Sequence, residues 1–291
     1  MNIIFQINGG IGKCVMATAV CEAIKKEYPK SKLIVLSAYA DVFLNNPYVD
    51  KSLAFGAASY FYQDYIQDQE FKILAHDPYL QTEHIKQDEH LIKTWCEMYG
   101  VKYNGEKPNI FLTEQEIKVY QSKYLSDKPI LLLHTNGGAQ TDLKYSWARD
   151  IPNEIVAQVI ETFKKDYNIA HVRREDQNTF EGTYPVSDNF RSICVLIAMS
   201  KKRLLIDSFA QHVAASMGLK STVCWIANSP KVFGYEINDN IICNTFTATP
   251  DLKNAYLTKF NIGSDLLEFP FKSEKDIFNI SDIVKSIKSQ H

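Results

Sequence analysis

Short apolar runs alternate with helix-like stretches along this chain, and the clearest example stands at its start. An apolar run at residues 3–7 leads into a glycine cluster, Gly9-Gly10-Ile11-Gly12, and then into small and apolar residues up to Tyr28-Pro29. A second apolar run follows at residues 33–36. Strand, glycine turn, helix and strand predict a βαβ unit, whose crossover makes the two strands parallel.

The same alternation continues and then restarts after Pro129. In the first half it predicts strands near 52–54, 72–75 and 109–112 and helices at 90–99 and 114–124. In the second half it predicts strands at 130–133, 169–172, 203–206 and 221–225 and helices at 155–163, 192–199, 211–217 and 280–287. We therefore expect an α/β protein of two Rossmann-like domains, residues 1–126 and 127–291, whose parallel sheets face a cleft.

Composition narrows the class of protein. The 291 residues are 45% hydrophobic and 23% charged, which excludes a disordered or fibrous chain. The formal net charge of −2 gives no global attraction to nucleic acid or an anionic membrane. The N-terminus has no basic segment of the secretory type, and the longest apolar run, 193–199, is shorter than the ~20 residues of a membrane span. We expect a cytoplasmic protein.

Six cysteines occur without any C-x-x-C pair and mostly among apolar neighbours. That setting predicts buried thiols rather than a zinc site or a disulfide framework.

The first glycine loop, which ends at Lys13, invites comparison with phosphate-binding loops. Its spacing fits neither a Walker A loop nor a dinucleotide fingerprint. Gly10 and Gly12 are therefore explained equally well by a tight strand-to-helix turn and by contact with a ligand.

Two polar segments of the second half are further candidates. Asp207 and Ser208 end a predicted strand where a helix begins, so helix N–H groups there can hold an anion, with His212 one turn along. The alternative is that Asp207 or Ser208 only caps the helix. The other segment, Thr135-Asn136-Gly137-Gly138 followed by Lys144-Tyr145-Ser146-Trp147, lies after the first strand of this half. A solvated loop is the alternative there.

Together these features resemble family 9 glycosyltransferases, the heptosyltransferase-like enzymes of the two-domain GT-B fold. The matching segments, in chain order, are Met16-Ala17-Thr18-Ala19 with Ala23-Ile24-Lys25, then Asn46-Pro47-Tyr48-Val49-Asp50, then the polar glycine loop with its K-x-x-W-like element, and Asp207-Ser208-Phe209-Ala210-Gln211-His212-Val213-Ala214-Ala215. The resemblance spans nearly the whole chain.

The resemblance implies transfer of a sugar from a nucleoside-diphosphate sugar to an acceptor hydroxyl, with inversion and without a metal or other cofactor. It places donor binding in the second half. Lys144, His212 and the backbone N–H groups of Ser208 and Phe209 would then lie near the diphosphate, and Asp207 near a sugar hydroxyl. Thr135 and Asn136 would line the same pocket.

Two positions depart from the family pattern. The acidic residue of the first loop, which would deprotonate the acceptor, is Lys13 here, and a glycine is replaced by Phe209. A charged lysine cannot accept a proton. Either another group is the base, or Lys13 serves an anionic acceptor or phosphate, or the enzyme is inactive. The candidates for a replacement base are Asp77 and His76, in the loop after the strand at 72–75. A polar loop facing water is the alternative.

Aromatic residues between 55 and 65, Tyr60 and Tyr62 among them, suit stacking on an acceptor or a partly buried helix face. The expected acceptor is a lipopolysaccharide core or another surface glycan. One alternative is a viral enzyme acting on a hydroxylated base in DNA, which would need a basic stripe. The residues available for it are Lys13, Lys25, Lys26, Lys30, Lys32 and Lys51. Another alternative is a non-catalytic protein that binds sugar nucleotides or glycans. An NAD-type dehydrogenase is disfavoured by the incomplete fingerprint.

Overall fold

The computed structural model describes residues 1–137, 145–244, 269 and 271–290. The chain folds as two compact units, Met1–Lys118 and Val119–His291. The division falls inside a helix, Glu114–Lys123, that precedes the predicted boundary.

The first unit is built on a four-stranded parallel sheet of order β3-β2-β1-β4. Its elements are β1 (Asn2–Ile7), α1 (Ile11–Glu27), β2 (Lys32–Ser37), β3 (Lys51–Leu53), α2 (Phe61–Tyr65), β4 (Phe71–Leu74), α3 (Thr82–Ile85), α4 (Leu91–Met98) and α5 (Glu114–Lys123). The βαβ unit predicted from the first forty residues is confirmed, because β1 pairs in parallel with β2 across α1.

Burial of β1 and α1 explains why this unit forms. Phe5 of β1 is fully buried, and its ring meets Trp95 edge-on at 5.4 Å and Tyr99 at 5.7 Å between centroids. Most of α1 is buried as well, which suits its small and apolar residues. Each fully buried large side chain contributes roughly 1.5–3 kcal/mol.

The strand predicted at 109–112 is wrong: these residues belong to no strand and no helix. Side chains replace the missing ladder. The N–H of Asn109 donates to Oγ1 of Thr18 at 2.9 Å, and its amide donates to Glu22 at 3.2 Å, both in α1. The amide of Asn46 in turn donates to Asn109 at 2.9 Å. The apolar run packs beside α1 instead of extending the sheet.

The second unit carries a six-stranded parallel sheet of order β10-β9-β8-β5-β6-β7. Its elements are β5 (Ile130–His134), α6 (Asn153–Phe163), β6 (Asn168–Val172), β7 (Thr183–Val186), α7 (Phe190–Met199), β8 (Lys202–Ile206), α8 (Phe209–Ser216), β9 (Thr222–Trp225), α9 (Pro230–Phe233), β10 (Asp239–Ile242) and α10 (Ile280–Ser289). The predicted strands at 130–133, 169–172, 203–206 and 221–225 are confirmed.

The last helix is tied to the sheet by a buried cation. Nζ of Lys202 donates to the carbonyls of Ile287, Lys288 and Gln290 at 2.7–3.0 Å, which satisfies the carboxyl end of α10. The side chain of Gln290 pairs with both the N–H and the C=O of Arg203. These bonds hold α10 beside β8.

All six cysteines are buried free thiols, as predicted. No helix within the described part of the chain has the length and apolar character that a membrane crossing requires.

Candidate functional site

Two of the side chains predicted to act in the first unit meet at the carboxyl edge of its sheet. Lys13 lies in the first turn of α1, and Asp77 follows β4. Because β1 and β4 are neighbours in the sheet, the segments after them share one edge. Nζ of Lys13 donates to Oδ1 of Asp77 at 2.7 Å.

The two charges differ in exposure. The side chain of Lys13 is 4% exposed, whereas that of Asp77 is 38% exposed. The ammonium lies 4.5 Å from the ring centre of Tyr79 and 5.5 Å from that of Trp95, within cation–π range. Oδ1 of Asp77 also accepts the N–H of Tyr79 at 3.0 Å. The lysine is thus enclosed, while the carboxylate remains open to solvent and to a reactant.

The glycine loop beside this pair places its special conformation at Gly9, where φ is +119° and an added Cβ would lie 3.0 Å from Cδ of Lys13. Gly10 caps α1 with an ordinary φ of −78°, and nothing lies within 4 Å of an added Cβ there. Gly12 lies within α1. The turn therefore explains Gly9 rather than Gly10, whose contact with a ligand stays a prediction.

The other predicted residues of this unit lie elsewhere. His76 is exposed, and its carbonyl accepts the hydroxyl of Tyr99 at 2.9 Å. Tyr60 and Tyr62 are 74% and 60% exposed, so a partly buried helix face does not describe them. The end of α2 lies at the opposite edge of the sheet, where the carbonyl of Tyr65 accepts from the side chain of Asn2 at 3.0 Å.

In the second unit four of the predicted donor residues lie on two adjacent loops. β5 and β8 are neighbours, so Thr135 and Asn136 follow one strand while Asp207 and Ser208 follow the next. This is the edge at which open parallel sheets bind ligands. The ring of Phe209 bridges the loops, since it lies 5.0 Å from the ring of His134 at the end of β5.

A buried carboxylate that the sequence analysis missed organises the first of these loops. Asp150 is 3% exposed and accepts the N–H of Gly137 at 2.7 Å, the N–H of Ser146 at 2.9 Å and the amide of Asn136 at 3.3 Å. Burial raises the pKa of Asp150, and these hydrogen bonds together with nearby Arg149 oppose the rise. An aspartate in an ordinary polar stretch gives no signal of this role.

Two histidines lie under the same loop. His134 and His171 are 5% and 0% exposed, and Nε2 of His171 lies 3.0 Å from Oγ1 of Thr135. Burial lowers the pKa of His134 to about 3 and that of His171 to about 4. Both imidazoles are therefore neutral at pH 7.

The second loop is also built by hydrogen bonds. The amide of Asn228, after β9, donates to Oδ2 of Asp207. Ser208 stands at the N-cap of α8 without a side-chain capping bond, which argues against a capping role for its hydroxyl. His212 is 3% exposed, and its Nδ1 lies 2.8 Å from the hydroxyl of Tyr235. Asn228 and Tyr235 were not predicted from the sequence.

Lys144 lies outside the described residues. Trp147, at the other end of that motif, packs against Phe269 at 5.7 Å and Phe271 at 6.3 Å between ring centres. Across the described ranges no three metal-ligating side chains gather into a candidate site.

Three of the six lysines expected to supply a basic stripe for a DNA acceptor are engaged in ion pairs. Lys13 pairs with Asp77, and Lys25 pairs with Asp50 at 2.6 Å. Lys26 pairs with Glu22 at 2.8 Å and with Glu106 at 3.1 Å. Half of the six lysines therefore have carboxylate partners, and the DNA alternative loses its structural support.

Solved structures resemble this chain over more than four fifths of its length. A family 9 glycosyl transferase from Veillonella parvula DSM 2008 matches with a TM-score of 0.70 at 16% identity, covering 99% of this chain and 96% of the other. ADP-heptose lps heptosyltransferase II of E. coli matches at 0.65 and 12% identity, covering 83% and 90%. E. coli heptosyltransferase WaaC with ADP matches at 0.57 and 9% identity, covering 84% and 94%.

No protein-family model and no curated protein matches the sequence. At these identities the structural likeness shows the fold. The chain has the two-domain α/β fold of the family 9 glycosyltransferases and heptosyltransferases, as the resemblance implied.

Proposed function

We propose that this protein is an inverting, metal-independent glycosyltransferase that moves a sugar from a nucleoside-diphosphate sugar to an acceptor hydroxyl. The observation that carries the proposal is the likeness over nearly the whole chain to a family 9 glycosyl transferase. Four of the residues that the family pattern points to, Thr135, Asn136, Asp207 and Ser208, follow two neighbouring strands of the second sheet, which supports a nucleotide site at that carboxyl edge.

The second unit binds the donor in this proposal. The first N–H groups of α8, at Phe209 and Ala210, have no acceptor within the helix and suit a phosphate oxygen. Thr135 and Asn136 belong to the neighbouring loop. Asp207, held by a hydrogen bond from Asn228, accepts a hydrogen bond from a hydroxyl of the sugar. Oriented N–H groups and cations stabilise the negative charge that develops on the departing diphosphate.

The first unit binds the acceptor and removes its proton. The acceptor oxygen forms a bond to the anomeric carbon as the bond from that carbon to the diphosphate oxygen breaks. The bonding electrons leave with the nucleoside diphosphate, and the acceptor proton passes to Asp77. Lys13 orients Asp77 through its 2.7 Å hydrogen bond, so the proton acceptor stands after β4 instead of in the first loop.

The neighbours suggest which substrates to try. One is named for ADP-heptose and lipopolysaccharide, and another was solved with ADP. We propose an ADP-sugar as donor and a lipopolysaccharide core or related surface glycan as acceptor.

The test is a thermal-shift panel of ADP, UDP, GDP, CDP and their sugars. A ligand that binds the folded state at 100 times its Kd adds about 2.7 kcal/mol of stability, which raises the Tm by several degrees. We expect the shift with ADP, its loss in Lys144→Ala and His212→Ala, and its persistence in the exposed-lysine control Lys165→Ala. No shift with any nucleotide would refute the proposal.

A non-catalytic protein that binds sugar nucleotides is the second candidate. The ion pair favours it, because Lys13 stands where the family has an acid and already occupies Oδ1 of Asp77. Release of ADP from an ADP-sugar, with a lipopolysaccharide core or water as acceptor, separates the two candidates. Binding without release supports the second.

A further inference from the structure

Arginine is scarce in this chain, and most arginines are committed to structural contacts. Only five of the 32 basic residues are arginines. Arg173 donates to three backbone carbonyls, Arg174 pairs with Asp176 at 3.0 Å, and Arg203 donates to the carbonyls of Ser200 and Lys220. Arg191 also has a partner.

Arg149 differs from these four. Within the described part of the chain its guanidinium engages no carboxylate or carbonyl, although the residue is half-buried. A guanidinium carries five N–H donors, and those of Arg149 are not used by protein acceptors within the described ranges. Such a group in a candidate binding loop is available for an anionic ligand.

A tight turn fixes where Arg149 lies. Its N–H donates to the carbonyl of Ser146 at 3.1 Å, and that of Asp150 donates to the same carbonyl at 2.8 Å. The side chain crosses directly over Gly137, where an added Cβ would lie 2.8 Å from Cδ and 3.4 Å from Nη1 of Arg149. The positive charge of Arg149 adds to the effect of burial in lowering the pKa of His134, and it opposes the rise in the pKa of Asp150. The guanidinium therefore lies near both side chains.

The adjacent carboxylate does not capture this cation. The oxygens of Asp150 already accept from the N–H groups of Gly137 and Ser146 and from the amide of Asn136. Asp150 therefore holds the loop and the turn together, while the guanidinium is left at the carboxyl edge of β5. Among the described residues no hydrogen bond or ion pair joins Asp150 to this guanidinium, so the neighbouring carboxylate leaves the fork of the arginine open to another anion.

We infer that Arg149 binds the diphosphate of the nucleotide donor, over the loop formed by Thr135, Asn136 and Gly137. This inference rests on the proposed function and adds a residue to its donor site. The planar fork of arginine matches two phosphate oxygens at once, which a lysine at the same place cannot do.

Calorimetric titration with ADP, AMP and adenosine tests the inference. The variants are Arg149→Gln and Arg149→Lys, with Arg174→Gln as the matched control because Arg174 pairs with Asp176. We expect ADP to bind at least about tenfold more weakly to Arg149→Gln, with Arg149→Lys intermediate, because a charge-assisted pair is lost. Adenosine affinity and the Tm without ligand should match those of the wild type.

Three results would overturn the inference, and they are distinguishable. Equal ADP affinity in Arg149→Gln and the wild type would show that Arg149 does not contact the phosphates. Equal loss for ADP, AMP and adenosine would show that it only shapes the loop. A wild type that binds no nucleotide diphosphate would refute the proposed function as well.

Discussion

Asp77 in the first unit and Asp150 in the second both lie near the carboxyl edge of a parallel sheet, but they are held in different ways. Asp77 is bound by a side-chain cation, Lys13, and is 38% exposed. Asp150 is bound mainly by backbone N–H groups and is 3% exposed. The exposed carboxylate of Asp77 can be reached by a reactant, whereas the buried carboxylate of Asp150 holds the chain around it in place.

The largest expected effect comes from removing the basicity of Asp77. Asp77→Asn should lower the rate of ADP release by about 10²- to 10⁴-fold, because a general base contributes on that scale. Its affinity for ADP, measured by calorimetry, should stay unchanged, since the donor residues that we propose lie in the other unit. Asp88→Asn, which alters an exposed aspartate of the same unit, is the control.

Loss of the partner charge complicates this variant, because Lys13 would be left buried and unpaired. The double variant Lys13→Met with Asp77→Asn removes both charges and should regain stability without regaining activity. Recovery of ADP release in the double variant would exclude Asp77 as the base.

A smaller effect, on stability, is expected at the other aspartate. Asp150→Ala leaves two backbone N–H groups and one amide without their acceptor, and each unsatisfied buried group costs about 1–3 kcal/mol. We expect the free energy of unfolding in urea to fall by about 3 kcal/mol. Asp166→Ala, at an exposed position, should change it by less than about 0.5 kcal/mol. A similar value for both variants would mean that Asp150 does not hold the loop.

The pH dependence of stability tests the buried histidines beside Asp150. The folded chain lowers the pKa of His134 to about 3 and that of His171 to about 4, from an ordinary 6.5. Below pH 6.5 the unfolded chain therefore binds protons that the folded chain does not. Stability from this source is complete above pH 6.5 and falls by about 1.4 kcal/mol per pH unit for each histidine until the folded pKa is reached.

The variant His134→Leu keeps an apolar contact with Phe209 and removes one of these groups. Urea unfolding at pH 7 and pH 4.5 should show a smaller loss on acidification than in the wild type. An identical acid loss in both proteins would show that His134 titrates normally in the folded state.

The comparison also shows what a sequence can and cannot predict. Long apolar runs such as β1 and β5 and the glycine loop before α1 were predicted because burial and turn chemistry are local properties. The short edge strands β7 and β10 were not, since Pro185 and polar residues weaken their pattern. The run at 109–112 has a strand-like pattern, but the hydrogen bonds of Asn109 go to side chains of α1 instead of a neighbouring strand.

The residues of the candidate site also divide into those that a local pattern predicts and those that it does not. The sequence shows that Lys13 stands where the family has an acid, and it offers Asp77 as a replacement base because Asp77 follows a predicted strand. The ion pair between Lys13 and Asp77 could not be predicted, because it depends on β1 and β4 being neighbours in the sheet. Asp150 and Arg149 belong to a turn whose role depends on its contacts with the loop at Gly137, which is distant in the pattern of the sequence. No local pattern reports that Gly137 passes under Arg149.

The smallest expected effect tests the contact between Gly137 and Arg149. Gly137→Ala adds a Cβ that would lie 2.8 Å from Cδ of Arg149, in a backbone conformation that alanine can adopt. The arginine side chain is flexible and can shift, so the free energy of unfolding should change by less than about 1 kcal/mol. The shift moves the guanidinium away from the phosphates, and ADP should bind about threefold more weakly, a smaller loss than in Arg149→Gln.

In the double variant Gly137→Ala with Arg149→Gln the alanine should add nothing further, because its effect passes through the arginine. A full additional loss in the double variant would mean that Gly137 itself approaches the ligand.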